Sequence, residues 1–225
     1  MSYKRIVSVG AHSLDAEILG GALMYRYSKT GAHCTFIHVT SGRLEDPKAT
    51  EEAKKAYLEA LKLQNEKAAK TLNCDCYRLG YVSSNMPQEE EFAKEMEAYF
   101  VKEKVDLVIT HWRGSMHPRH IATHRAVRLA CKRLREKGSN IKLLYGETFE
   151  DLVGYVPQAY FKISAEERQM WLKSLREYQV FNGEVNDFPY IPYYENISKI
   201  RQIESNCDTY VTCFMYASLI ENELW

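Results

Sequence analysis

Long hydrophobic runs are missing from this sequence, and with them any segment able to cross a bilayer as a helix. The opening "MSYKRIVSVG" has neither the apolar core nor the small-residue cleavage site of a secretory leader, so the expected location is cytoplasmic. An excess of one charge is missing too. Thirty Lys and Arg balance 30 Asp and Glu, so no global field favours nucleic acid or an anionic membrane as partner. No basic stripe interleaved with aromatics restores that reading. Six cysteines in 225 residues are too few for a disulfide scaffold. The one close pair, Cys74 and Cys76, falls on one face of a strand and reads as small, half-buried, reduced side chains. No repeat, low-complexity tract or flexible linker divides the chain. One domain is expected over 1–225, with a parallel core over 1–150 and a C-terminal extension over 151–225, acting on a small molecule.

What is present is alternation. "YKRIVSVGAH" is a short apolar run of the kind buried in a parallel sheet. "DAEILGGALMYRYSKTG" follows with apolar residues at helical spacing and Gly31 as C-cap. "HCTFIHVTSG" is a second strand, and strand–helix–strand over so few residues is a right-handed βαβ unit. The pattern repeats through "CDCYRLGYV", "VDLVITHW" and "NIKLLYGETF", with helices between. An α/β fold is therefore expected: a mostly parallel, Rossmann-like sheet with helices on both faces. Beyond it, Ser164 and Glu167 stand in capping-box relation before a helix. The segment "FNGEVNDFPYIPYYENISKI" reads as irregular, its aromatics packing the extension or forming a pocket rim or an intersubunit contact. "CDTYVTCFMYASLI" reads as one or two strands.

In such sheets ligands bind beyond the carboxyl ends of the strands, and two polar motifs lie there. "AHSLD" after the first strand places His12 three residues before Asp15. "HPRH" after the fourth places His117 three residues before His120. Imidazoles and carboxylates are zinc ligands, and two His with one carboxylate also hold non-haem iron. His111, ending the fourth strand, is a candidate to line the same site. His33 and His38 read as structural, and His124 as a surface or packing residue.

These motifs resemble those of the LmbE-like/PIG-L zinc deacetylases. "GAHSLDAEILGG" is similar to their first signature, Ala-His-Pro-Asp-Asp-x-Glu followed by an apolar residue and glycines, and "HPRHIATHRAV" to their second, His-Pro-Asp-His opening a helix. The resemblance implies one Zn2+ per chain on His12, Asp15 and His120, with Glu17 behind the ligands. It implies that His117 faces the substrate and stabilises or protonates the tetrahedral intermediate. The implied reaction is hydrolysis of the acetamide of an N-acetylated amino sugar by zinc-bound water. Relatives often assemble, so a homo-oligomer is a further expectation.

The sequence also departs from that pattern. Leu14 stands where the family has the Asp that acts as general base, and a leucine accepts no proton. Arg119 stands where an Asp supports the substrate-facing histidine, and Lys162 replaces an acid. An approximate register puts Leu61 and Gln64 where the family has Arg and Glu near the substrate. Glu147, at the end of the fifth strand, is the expected substitute base, with Glu17, Glu45 and Asp46 behind it. Arg43 and Arg119 are expected substrate contacts. Three readings follow: a zinc-dependent amidohydrolase, a silent or repurposed relative that binds metal and a sugar-like ligand, and a mononuclear non-haem iron enzyme.

Overall fold

The computed structural model describes residues 3–42, 44 and 48–217. In it the chain runs β1 (Arg5–Gly10), α1 (Asp15–Lys29), β2 (His33–Thr40), α2 (Glu51–Thr71), β3 (Asp75–Tyr81), α3 (Glu89–Lys102) and β4 (Leu107–Thr110). It continues through α4 (Pro118–Glu136), β5 (Lys142–Gly146), β6 (Ala159–Lys162), α5 (Ala165–Leu175), α6 (Tyr190–Glu204) and β7 (Val211–Tyr216). The strands form one sheet in the order β3-β2-β1-β4-β5-β7-β6. The first five run parallel, and β7 pairs antiparallel with both β5 and β6. The expected α/β architecture is present, and residues of the C-terminal extension complete the same sheet.

Burial explains the central strands. Val7, Val9, Ile37 and Val108 turn one way onto α3 and α4, through Phe92, Met96, Phe100, Val127 and Ala130. Ile6, Phe36, Leu107 and Ile109 turn the other way onto α1, through Leu19, Leu23 and Met24. Strands covered on both faces read as continuous apolar runs, which is why they were legible. α5 closes over α1, where Trp171 donates its indole N–H to the Glu17 carbonyl at 2.9 Å. Gly31 ends α1 as a left-handed residue with φ +88°. The N–H groups of Gly31 and Ala32 return to the carbonyls of Ser28 and Tyr27, a Schellman closure.

Two local expectations change. The stretch "PYIPYYENISKI", expected to be irregular, lies largely in α6. Pro192 sits in the first turn, where its missing N–H has no intrahelical partner to lose. Ala159–Lys162, assigned to no element on sequence, form strand β6; Ser164 and Glu167 do form the reciprocal cap. Ser218, Leu219 and Ile220, the end of the last expected strand run, lie outside the described residues.

The chain steps from β1 outward to β2 and β3, then crosses back to β4 and β5. The carboxyl ends of β1 and β4 flank that switch point, where a crevice opens in sheets of this kind. His111 follows the end of β4 directly, and His12 follows the end of β1 after one residue, Ala11.

Candidate metal centre

The turn from β1 into α1 is tight because residue 10 is glycine: a Cβ there would come within 2.4 Å of the Ala16 amide nitrogen. That approach brings Asp15, the first helical residue, back beside His12. The N-cap between them is Leu14, at φ +83° and ψ −36° with no side-chain cap bond. A leucine in the left-handed region costs about 1–2 kcal/mol. Across the crevice His117 is the N-cap of α4, and Pro118 opens the helix in the position that suits it. His120 then faces back towards β1.

One oxygen is the focus. Asp15 Oδ2 accepts from the His12 backbone N–H at 2.8 Å and lies 3.0 Å from His12 Nδ1. It is 3.4 Å from both His111 Nε2 and His120 Nε2. Two overlapping ligand sets result, His12 with His117 and His120, and Asp15 with His111 and His120. His111 is already committed: its Nε2 accepts from Ala11 N–H at 3.0 Å, and its Nδ1 bonds Asp151 at 2.7 Å. His120 is not. Its Nδ1 bonds Asp151 at 2.8 Å, while its Nε2 is buried with no hydrogen-bond partner. A buried nitrogen of that kind carries a desolvation penalty that a cation would remove. This donor set, with a carboxylate behind the imidazole, fits a divalent metal.

The electrostatics agree. Burial alone would raise the Asp15 carboxyl, but His120, His111 and His12 together hold it well below the ordinary range. Burial alone would lower His120, but Asp15 and Asp151 push it up to about 10. Carboxylates that favour a positive charge on the neighbouring imidazole favour a metal cation by the same attraction. His117 differs: burial and repulsion from His12 and His120 bring it down to about 4. At neutral pH it is an uncharged imidazole.

Beside these groups lies a cavity of about 510 Å³. His12, Asp15 and His117 form its floor, and Arg119, Ser83 and Tyr57 contribute from one side. Leu14 and Leu61 line it with hydrocarbon, and Tyr190 and Asn186 reach it from the aromatic C-terminal segment. That segment both packs, with Phe149 stacked 3.8 Å from Phe188, and forms part of the rim.

The structure thus brings together His12, Asp15, His111, His117, His120 and Arg119. It does not bring Glu147 or Glu17. The Glu147 carboxylate is bonded by Arg201 Nε at 3.0 and 3.1 Å and by the Cys213 thiol at 3.0 Å, beside a separate, small cavity. Glu17 is turned away because two residues on a helix are about 200° apart around its axis. Its carboxylate meets His38 Nε2 at 3.1 Å and accepts from Tyr178 Oη–H at 2.9 Å. Lys162 pairs with Asp208 on the surface, and Gln64 accepts from the Gln179 amide. His124 is buried, donating to the His111 carbonyl. Arg43, Glu45 and Asp46 lie outside the described residues. Cys74 and Cys76 are free thiols.

Two functional candidates went unnoticed in the sequence, and both come from the short 3₁₀ turn Phe149–Asp151 after β5. Asp151 bonds Nδ1 of both His111 and His120. Glu150 lines the cavity with Oε2 3.6 Å from His120 Nε2, its carboxyl raised by burial and by Asp15. The only local signal was the acidic pair in "GETFED".

Among known proteins, the profile of the family described as PIG-L, GlcNAc-PI de-N-acetylase, matches residues 7–131, more than half of the chain. No curated protein sequence matches. Solved structures do. The conserved protein TT1542 from Thermus thermophilus is 17% identical with a TM-score of 0.77, covering 99% of this chain and 98% of its own. GalB, the 4-carboxy-2-hydroxymuconate hydratase from Pseudomonas putida, is 11% identical with a TM-score of 0.83, covering 99% of each chain. The N,N'-diacetylchitobiose deacetylase from Pyrococcus horikoshii is 16% identical with a TM-score of 0.73, covering 95% of this chain and 83% of its own. At these identities the likeness is one of fold.

Proposed function

This chain belongs to the PIG-L, GlcNAc-PI de-N-acetylase, family, and on that premise we propose that it is a metal-dependent hydrolase of N-acyl amides. The observation that carries the reading is the convergence of His12 and His120 on Asp15 Oδ2, with His120 Nε2 buried 3.4 Å from that oxygen and making no hydrogen bond. His12, Asp15 and His120 are the proposed ligands of one Zn2+, with His111 and Asp151 holding them in place. A bound zinc ion supplies Lewis acidity, acidifying water and polarising an amide carbonyl. The chain's own residues supply the rest. His117, a neutral imidazole on the cavity floor, offers an N–H to the oxygen that gains charge as the carbonyl is attacked. Glu150, not Glu147, is the carboxylate placed to take a proton from the attacking water and return it to the departing amine. It stands in for the acid that Leu14 lacks.

An N-acetylated sugar is what the Pyrococcus neighbour's name carries, and such sugars are the first class to test. The experiment is metal analysis of protein purified without added metal, followed by acetate release from N-acetyl sugars and simple N-acetyl amines. Stoichiometric zinc and turnover lost in His120→Ala support the reading; iron at that stoichiometry, or no metal uptake, removes it. Leu14 favours a second reading, a repurposed relative that binds metal and ligand without amide cleavage. The carboxylated substrate in the hydratase neighbour's name adds hydration of a carbon–carbon double bond to the reactions to assay. Metal uptake with no amide turnover, and no effect of Glu150→Gln on ligand binding, selects that second reading.

A further inference from the structure

The cavity has two kinds of wall. Leu14, Ile18, Leu61, Phe149 and Val180 line it with hydrocarbon, and Leu14 and Leu61 are 3% and 5% exposed, fixed parts of the structure. A sugar hydroxyl turned onto that wall would leave its water partners and find none in exchange. A branched apolar or aromatic body meets no such penalty and gains from leaving water.

Among the described residues, the rest of the lining carries one Lys or Arg. Arg119 is the second residue of α4, directly before His120, and it lines the same cavity half-exposed. Its Nε donates to the Ser83 carbonyl at 3.3 Å, which orients the guanidinium plane. Among the described residues no carboxylate pairs with it. A tethered guanidinium with free amino groups matches a carboxylate with two parallel hydrogen bonds, a match that an ammonium or an amide does not reproduce. Arg119 also stands beside His117, so a group held there lies next to the imidazoles and not at a remote rim.

We propose that the substrate of this site is an N-acyl compound with an apolar or aromatic body and a carboxylate, the carboxylate held by Arg119 and the body by the wall around Leu14, Leu61 and Phe149. The proposal rests on the hydrolase reading for the bond that breaks: water adds to the amide carbonyl, the C–N bond cleaves, and the acyl carboxylate and free amine leave. Its recognition step is independent of that cleavage.

The test uses the full zinc-loaded chain with three probes: N-acetyl-L-phenylalanine, its neutral carboxamide, and N-acetyl-D-glucosamine. Calorimetric binding and acetate release are both measured. The acid is expected to bind about tenfold or more tighter than either neutral probe, as a charge-assisted pair requires. Arg119→Gln should erase the difference between acid and carboxamide while the zinc stoichiometry holds. Leu61→Gln, which leaves Arg119 in place, should weaken both phenylalanine probes relative to the sugar. The proposal is overturned if the sugar binds as well as the acid, if the acid's advantage survives Arg119→Gln, or if no probe binds. Arg119-dependent binding of the acid with no acetate from any probe upholds the substrate class and removes the hydrolase reading. Acetate from the sugar alone upholds the hydrolase and removes the substrate class.

Discussion

The Asp151 carboxylate takes a hydrogen bond from Nδ1 of His120 at 2.8 Å, and that bond leaves Nε2 of His120 to face Asp15 Oδ2 at 3.4 Å. The same carboxylate bonds His111 Nδ1 at 2.7 Å, so one buried acid fixes two rings whose planes lie 31° apart. Burial opposes its charge, yet the two imidazoles hold it far below the ordinary carboxylate range.

Asp151→Asn keeps the volume and loses the charge, and its amide N–H₂ must confront one of the two Nδ1–H groups. Metal affinity should fall about 10–100-fold, the usual effect of removing a carboxylate behind a ligand histidine. Competition with a chromophoric chelator measures it. Affinity equal to that of the parent protein would show that His120 is oriented by something else.

Glu150→Gln removes the proposed proton acceptor and keeps the three proposed ligands. We expect kcat to fall about 10²–10³-fold with metal content unchanged. Glu147→Gln should lower stability, since Arg201 loses its buried partner, and leave kcat in place. The opposite ranking of the two variants would restore Glu147 to the mechanism.

Leu14→Asp puts a carboxylate on the cavity wall in a backbone conformation that Asp tolerates better than Leu. Amide hydrolysis should rise by about 10²-fold. Stability should change by about 1–2 kcal/mol, because Leu14's place in the buried apolar cluster that includes Ile18 and Trp171 is lost while strain is relieved. Initial rates and urea denaturation read the two effects separately. An unchanged rate would mean that the base at 150 already suffices.

Glu167 carries an acid-side prediction. The Arg26 guanidinium, against the opposing effect of burial, and the capping bond from Ser164 N–H hold its carboxyl down at about 2. A depressed carboxylate stabilises the fold fully above its unfolded value of about 4.3 and loses that contribution as pH falls towards 2. Glu167→Gln should cost about 1–2 kcal/mol at pH 7. The gap from the parent protein should close as pH falls from about 4.3 to about 2, which denaturation at neutral pH and near the lower end of that window resolves. A gap independent of pH would assign the loss to packing.

The parallel sheet, the crevice and the His12/Asp15 and His117/His120 motifs were all readable along the chain. Their causes are local: apolar runs long enough for buried strands, a turn at Gly10, a proline opening α4, and donors three residues apart at strand ends. α6 was not readable because Pro192 and the aromatics around it hid a helix whose stability comes from packing. The short strand β6 was not readable because it is four half-exposed residues at the sheet edge.

Which acids face the candidate centre was decided by tertiary structure alone. Glu147, Glu150 and Asp151 lie within one short stretch, and composition cannot rank them. The 3₁₀ turn sends Asp151 under two imidazoles and Glu150 into the cavity, while Arg201, 54 residues beyond Glu147, draws that carboxylate away. Glu17 follows Asp15 closely in sequence, yet the helical rotation between them gives one to the crevice and the other to His38. A sequence lays out donors and their spacing along one dimension; the facing of each side chain is set by backbone rotation and by partners far along the chain.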